Sequence, residues 1–244
     1  MASLRTSAII CSVRQHGEHG AVVRALTPQN GLMAGYVRGA RSRTMRPILI
    51  PSNIVQADYR ARTEDQLASM TAELQQSRGP YLGEPLASAA LDWVTALTAA
   101  ILPEEQSYPQ LHSALTALLD AICGAPSAKG WAVALARYEL LLLSELGFGL
   151  SLDICTATGN AEDLIYISPK SGAAVSREAG QIYKEKLLPL PAFLNSPDQP
   201  QWDDILDGLK VTGFFLRRHF FADHRNDVMA ARSVLVDRLK RVVA

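Results

Sequence analysis

The sequence predicts an α+β chain, a small antiparallel β-barrel followed by a helical region, and three observations carry that prediction. Short β-branched runs separated by glycine, asparagine and proline turns fill roughly the first 75 residues. From Pro85 onward the apolar residues recur at helical spacing instead. Charge changes with the texture: residues 1–60 hold eight arginines, no lysine and two acids, whereas residues 61–204 hold eight basic residues against eighteen acids. Residues 205–244 return to eight basic against four acidic, so a formal net charge of zero conceals two basic ends around an acidic centre.

Ser7 to Val13 and Ala21 to Thr27 read as the first two strands, joined through the glycines of Gln15-His16-Gly17-Glu18-His19-Gly20. A turn at Thr27-Pro28-Gln29-Asn30-Gly31 leads into a third strand, Leu32 to Arg38. Ile48 to Arg60 is long enough for one strand or a bent pair, and Gln66 to Gln75 supplies a fifth. Five short strands in roughly 80 residues have the size and rhythm of an OB-type barrel, with an SH3-like barrel as the alternative.

The texture changes at Arg78-Gly79-Pro80, which sets a domain boundary: 1–78 for the barrel, 79–244 for an α-helical domain. Helices are expected over 85–101, 107–123 and 128–147, broken by Pro103 and Pro109, by Gly124-Ala125-Pro126, and by Gly147 and Gly149. Leu164 to Ser168 and Ala173 to Ser176 form an isolated β-hairpin around Pro169-Lys170-Ser171-Gly172, within a segment at about 154–180. Proline-rich 189–200 then links to helices at about 202–221 and 226–241, with Asn226 as the cap of the second.

At 244 residues and 48% apolar composition the chain can bury real cores. Cys11, Cys123 and Cys155 form no CxxC pair, so reduced thiols in a reducing cytoplasm are expected. The N-terminus lacks a signal-peptide pattern, and the apolar stretch 86–102 is interrupted by Asp92, so neither secretion nor a membrane span is expected.

Four arginines, Arg38, Arg41, Arg43 and Arg46, fall within nine residues of a glycine- and serine-containing loop. A solvated loop with surface ion pairs is one reading. No Asp or Glu stands between Glu18 and Asp58, however, so local ionic partners are missing and a polyanion is the better match. Guanidinium forks grip phosphate oxygens in pairs and stack on bases, which makes nucleic acid the expected ligand, with Arg14 and Arg24 as further contacts. Only Tyr36 and Tyr59 offer stacking surfaces here, so backbone contacts should dominate.

A second basic set, Arg217, Arg218, His219, Arg225 and Arg232, belongs to the last two helices. It is either the charged outer face of a packed helix or an extension of the nucleic-acid path through Arg217 and Arg218. His16 with His19 and His219 with His224 have no third ligand in local reach, so no metal is assigned. GxSxG, GxxxxGK[ST] and HExxH signatures are absent, and no catalytic residue or cofactor is assigned.

Taken together, "GLMAGYVRGAR", "RYELLLLSELGFGLSLDICTATG", "LIYISPKSGAAVSREAG" and "LRRHFFADHRNDVMAARSVLVDRL" resemble the RecO family of DNA repair proteins over nearly the whole chain. The resemblance implies a recombination mediator of the RecF pathway, located in the cytoplasm with the nucleoid and not an enzyme. Such a protein binds single- and double-stranded DNA, anneals complementary strands without nucleotide hydrolysis and helps to load the recombinase. Its implied partners are RecR and the C-terminal tail of single-stranded DNA-binding protein.

Some members carry a four-cysteine zinc site around the hairpin; here only Cys155 stands, with Thr158 three residues on, so the hairpin is a degenerate zinc-knuckle-like insertion. Ile165, Ile167 and Val175 must then hold it in place of metal. The acidic, carboxylate-ended tail requires an apolar pocket beside cations. It is placed between the helix of 128–147 and the C-terminal helices, at Arg137, Phe214, Phe215 and Arg225, although these phenylalanines could equally be core. An RNA-binding OB protein and a protein-interaction adaptor are the rival readings.

Overall fold

β1 (Ala2–His16) is long enough to pair twice in the computed structural model, which describes residues 2–63, 66–197, 199–222 and 228–243. Its first half runs antiparallel to β4 (Ile54–Ala61) and its second half to β2 (Gly20–Thr27), with Ile9 opposite both Ile54 and Leu26. An irregularity between Ile10 and Ser12 lets the strand bend from one partner to the other. β3 (Gly31–Val37) follows β2, and β5 (Ala68–Gln76) closes the barrel in the order β1-β2-β3-β5-β4. Closure depends on a short parallel pairing of Gly35 and Tyr36 with Ala68 and Ser69. Gly35 is required there, because a Cβ would stand 2.6 Å from that of Met70.

The interior alternates small and large side chains, Ala8, Ala21, Ala25 and Ala57 with Ile10, Val23, Val55 and Tyr59, which suits a narrow five-stranded barrel. The OB-type barrel expected from the strand rhythm is thus the observed architecture, and the chain is α+β.

Ile48 to Asn53 is a turn rather than the start of the fourth strand. Ser52 takes a positive φ of 80° between Pro51 and Asn53, and the Asn53 amide bonds the carbonyls of Pro47 and Ile48. Prolines 47 and 51 remove two donors that a strand would need. Arg78 enters this turn fully buried, donating to Ser52 O at 2.7 Å and pairing with Asp120 at 2.6 Å. The junction read from sequence as a change of texture is therefore a packed bridge to the second helix.

α1 (Pro85–Ile101) packs on β1 and buries Trp93, and α2 (Pro109–Gly124) carries Asp120. Packing divides the chain into two units, Met1–Gly124 and Ala125–Ala244, so α1 and α2 stay with the barrel although the sequence texture changes near residue 78.

In the second unit, α3 (Ala128–Glu145) packs against α5 (Trp202–Phe220), and α6 (Val228–Val243) against α5. Buried Glu139 of α3 receives Arg232 of α6 at 3.0 and 2.8 Å, and the Thr212 hydroxyl of α5 donates to the same carboxylate. The arginine crosses α5 at Gly213, where a Cβ would stand 2.2 Å from its Nη1. Arg232 is thus an internal tie, not part of an exposed basic face. Asn226, the expected cap of α6, lies outside the described residues.

β6 (Leu164–Ile167) and β7 (Ala174–Ser176) form the expected hairpin, but it is not isolated. The two-residue strand β8 (Leu188–Pro189) pairs with β6, making a three-stranded sheet in the order β7-β6-β8. Its buried side chains are Ile167, Ala174, Val175 and Ser176, while Ile165 is half-buried. The short helix α4 (Arg177–Gly180) leaves the sheet, capped by the Ser176 hydroxyl.

Candidate nucleic-acid interface

The arginine loop is folded by its own backbone. Ser42 N–H donates to Gly39 O at 2.9 Å, Arg46 N–H to Ser42 O at 3.1 Å and Leu49 N–H to Met45 O at 2.9 Å. Ala40 and Leu49 turn inward onto the barrel core, which leaves Arg38, Arg41, Arg43 and Arg46 on the outside. Arg41 Nε donates to Gln15 Oε1 at 2.9 Å and so ties the loop to the end of β1, where Arg14 is exposed. Among the described residues, none of Arg14, Arg38, Arg41, Arg43 or Arg46 forms an ion pair. Five exposed cations, four on this loop and one on the adjoining part of β1, thus present their charge to solvent without acidic partners among the described residues. Such an array suits the regularly spaced charges of a phosphate backbone.

Arg24 is not part of it. Its Nε lies 2.9 Å from Glu104 Oε1, an ion pair short of hydrogen-bond alignment, and its Nη1 donates to Ala99 O. The side chain fastens the end of α1 to the barrel wall. Tyr59 is also withdrawn from the expected stacking surfaces, being 2% exposed in the barrel interior, where burial pushes its hydroxyl pKa up. Tyr36 remains half-exposed and meets His16 edge to face at 6.1 Å.

On the second unit, Arg217 and Arg218 are both exposed in the last turn of α5, favourably placed at the negative end of its dipole. Arg218 Nη1 donates to Pro169 O in the hairpin turn, beside exposed Lys170. Phe215 is core at 1% exposure, whereas Phe214 is 38% exposed. Arg225 and His224 lie outside the described residues.

An open groove of about 650 Å³ lies elsewhere in the second unit, lined on one side by Arg137, Leu140 and Leu141 of α3 and on the other by Phe193 and Leu194. The Arg137 guanidinium is fixed at its edge by bonds to Phe193 O at 3.1 Å and Ser196 O at 3.2 Å. This combination of apolar walls and a positioned cation has the chemistry that the sequence predicts for a pocket near Phe214 and Phe215. Its second wall comes instead from the proline-rich segment, where a 3₁₀ turn, Ala192–Leu194, folds back on α3. Arg137 alone carried that signal in the sequence.

Cys155 keeps knuckle geometry without a metal set. Its N–H donates to Asn160 O at 2.7 Å, its carbonyl accepts from Gly159 N–H at 2.8 Å, and its buried Sγ accepts from Ser176 N–H at 3.3 Å. Burial raises the thiol pKa, but bonds from the Thr158 hydroxyl, the Ser176 amide and hydroxyl and the Ala157 amide outweigh it and bring the value down to about 6. Among the described residues no three His, Cys, Asp or Glu side chains form a metal cluster, so the residues present do not fit the four-cysteine zinc site.

No helix among the described residues is long and apolar enough to cross a membrane. Residues 1–78 match the family model for the recombination protein O N terminal region, and residues 82–227 match that for its C terminal region. A DNA repair protein RecO of Caulobacter vibrioides (strain NA1000 / CB15N) is 44% identical over 235 residues, covering 95% of each chain. Proteins of the same name from Rhodospirillum centenum and Bradyrhizobium sp. (strain ORS 278) are each 41% identical, covering 96% of this chain and 93% and 94% of theirs.

Proposed function

The chain belongs to the recombination protein O family, and from that premise we propose that it is a DNA-binding recombination mediator that anneals complementary strands and helps to load the recombinase. The observation that carries the proposal is the loop at 38–46, whose four exposed arginines have no ion-pair partners among the described residues. By neutralising phosphates, such a surface lowers the repulsion between two strands and lets base pairing proceed. The work is electrostatic, so it needs neither a catalytic residue nor nucleotide hydrolysis. Single- and double-stranded DNA both present the required charge. A cytoplasmic site of action, at the nucleoid, follows from that ligand.

The groove at Arg137 supports a second element of the same function. An acidic peptide ending in apolar residues and a carboxylate, such as the tail of single-stranded DNA-binding protein, would bury its apolar end against Leu140, Leu141 and Phe193 and pair its carboxylate with Arg137. RecR is proposed as the other partner on the family premise alone.

An annealing assay with labelled complementary strands, run without nucleotide beside filter binding to DNA and RNA of one sequence, tests the proposal. Accelerated annealing and DNA binding are expected. Binding to RNA alone would favour an RNA-binding protein, and binding to neither would favour a protein-interaction adaptor.

A further inference from the structure

Phe148 is an apolar ring held at the surface by its backbone. Gly147, at φ 84°, ends α3; its N–H donates to Ser144 O at 3.0 Å, and the Phe148 N–H reaches back to Leu143 O at 2.8 Å. These two bonds make a Schellman motif, which fixes the residue after the glycine against the last helical turn. Phe148 is nevertheless 38% exposed.

What lies under the ring makes the position unusual. His219 of α5 stacks on Phe148 with centroids 4.4 Å apart and 25° between planes, and Phe220 meets it edge-on at 5.2 Å. Phe215 continues the stack beneath His219 at 6.2 Å and 10°, and exposed Phe214 abuts Phe215 at 5.1 Å. Five rings therefore form a ladder from the core to solvent. Burial, and then the charge of Arg218, lower the His219 pKa and favour the neutral imidazole that stacks as an aromatic. Arg217 and Arg218, both exposed, flank the ladder on the same helix, and Arg218 is held by Pro169 O.

A rigid ring open to solvent, backed by aromatics and bordered by arginines, has the composition of a single-strand stacking platform. Bases inside a duplex already stack on one another and cannot reach it. From this geometry we infer that Phe148, supported by His219, is a stacking site for an unpaired base of single-stranded DNA, with Arg217 and Arg218 gripping the adjoining phosphates. The inference rests on the proposed DNA-binding function and adds a strand-type preference to it. The 38–46 loop supplies charge for the phosphates that both strand types share.

Anisotropy titrations of the full chain with labelled oligo(dT), an abasic strand of the same length and a duplex test this site. Phe148→Ala is expected to weaken oligo(dT) binding about tenfold while changing abasic-strand and duplex binding by less than about twofold, and Phe148→Trp should retain oligo(dT) affinity. Phe148→Leu removes the ring but keeps apolar packing, and serves as the readout should the alanine variant not fold. Unchanged oligo(dT) affinity in a folded Phe148→Ala or Phe148→Leu chain, or an equal loss on the abasic strand, would overturn the platform and leave the DNA-binding function standing. Failure of the wild-type chain to bind any strand would overturn both.

Discussion

Arg24 and Glu104 meet at 2.9 Å on the wall of the barrel, and the same arginine donates to Ala99 O at the end of α1. An arginine that the sequence offers as a phosphate contact is thus a clamp between strand and helix. Arg24→Ala is expected to destabilise the first unit by about 1–2 kcal/mol, since it removes a partly buried ion pair and leaves a carbonyl unpaired. Urea unfolding measures the loss. DNA affinity in the folded variant, and its salt dependence, should stay at wild-type values.

The buried pair of Glu139 and Arg232 makes a sharper stability prediction. Removing one partner leaves a charge stranded among α3, α5 and α6, at a cost of about 3–5 kcal/mol for Glu139→Gln or Arg232→Met. Replacing both with apolar residues of similar volume should recover most of that loss. A double variant no more stable than either single variant would contradict this account of the pair.

Cys155 gives a pH dependence of definite sign. Its folded-state pKa of about 6 lies below the unperturbed 9.0, so the folded state favours the thiolate. The resulting stability is fully present above pH 9 and is lost as pH falls toward 6. The stability gap between wild type and Cys155→Ser should therefore narrow from pH 9 to pH 6, while a constant gap would refute a depressed thiol pKa. The same protein should contain no stoichiometric zinc by elemental analysis and should keep its melting temperature in chelator.

Arg137 separates the two apolar sites of the second unit. A labelled acidic peptide with a free apolar C-terminus should lose binding about tenfold or more in Arg137→Ala, and keep it when Arg217 and Arg218 are both changed to alanine. The reverse pattern would return the peptide site to the neighbourhood of Phe214. Amidating the peptide's carboxylate should mimic the Arg137 change.

Much of this architecture is local and hence legible in the sequence. The first helix was bounded at 85–101 by Pro85 and Pro103, and the observed α1 has the same limits. Turn glycines placed the strands of the barrel, and missing acids singled out the 38–46 loop. What sequence could not show depends on contacts distant along the chain. Arg24 and Arg232 read as surface cations because their partners, Glu104 and Glu139, stand 80 and 93 residues away. A two-residue strand such as β8 carries no periodicity, so the hairpin looked isolated. Phe148 carries no signal of its own in the sequence, since its exposure and the imidazole behind it emerge only when α5 packs on α3.

The central claim is that DNA is held through the arginines of the 38–46 loop, and the salt dependence of binding by an Arg41→Ala, Arg43→Ala, Arg46→Ala triple variant tests it most directly. Each lost phosphate contact removes about 0.9 from the slope of log affinity against log salt on duplex DNA. The account predicts weaker binding to every sequence tested and a slope shallower by about two to three contacts. A folded triple variant with the wild-type slope would contradict it and remove the loop from the DNA site.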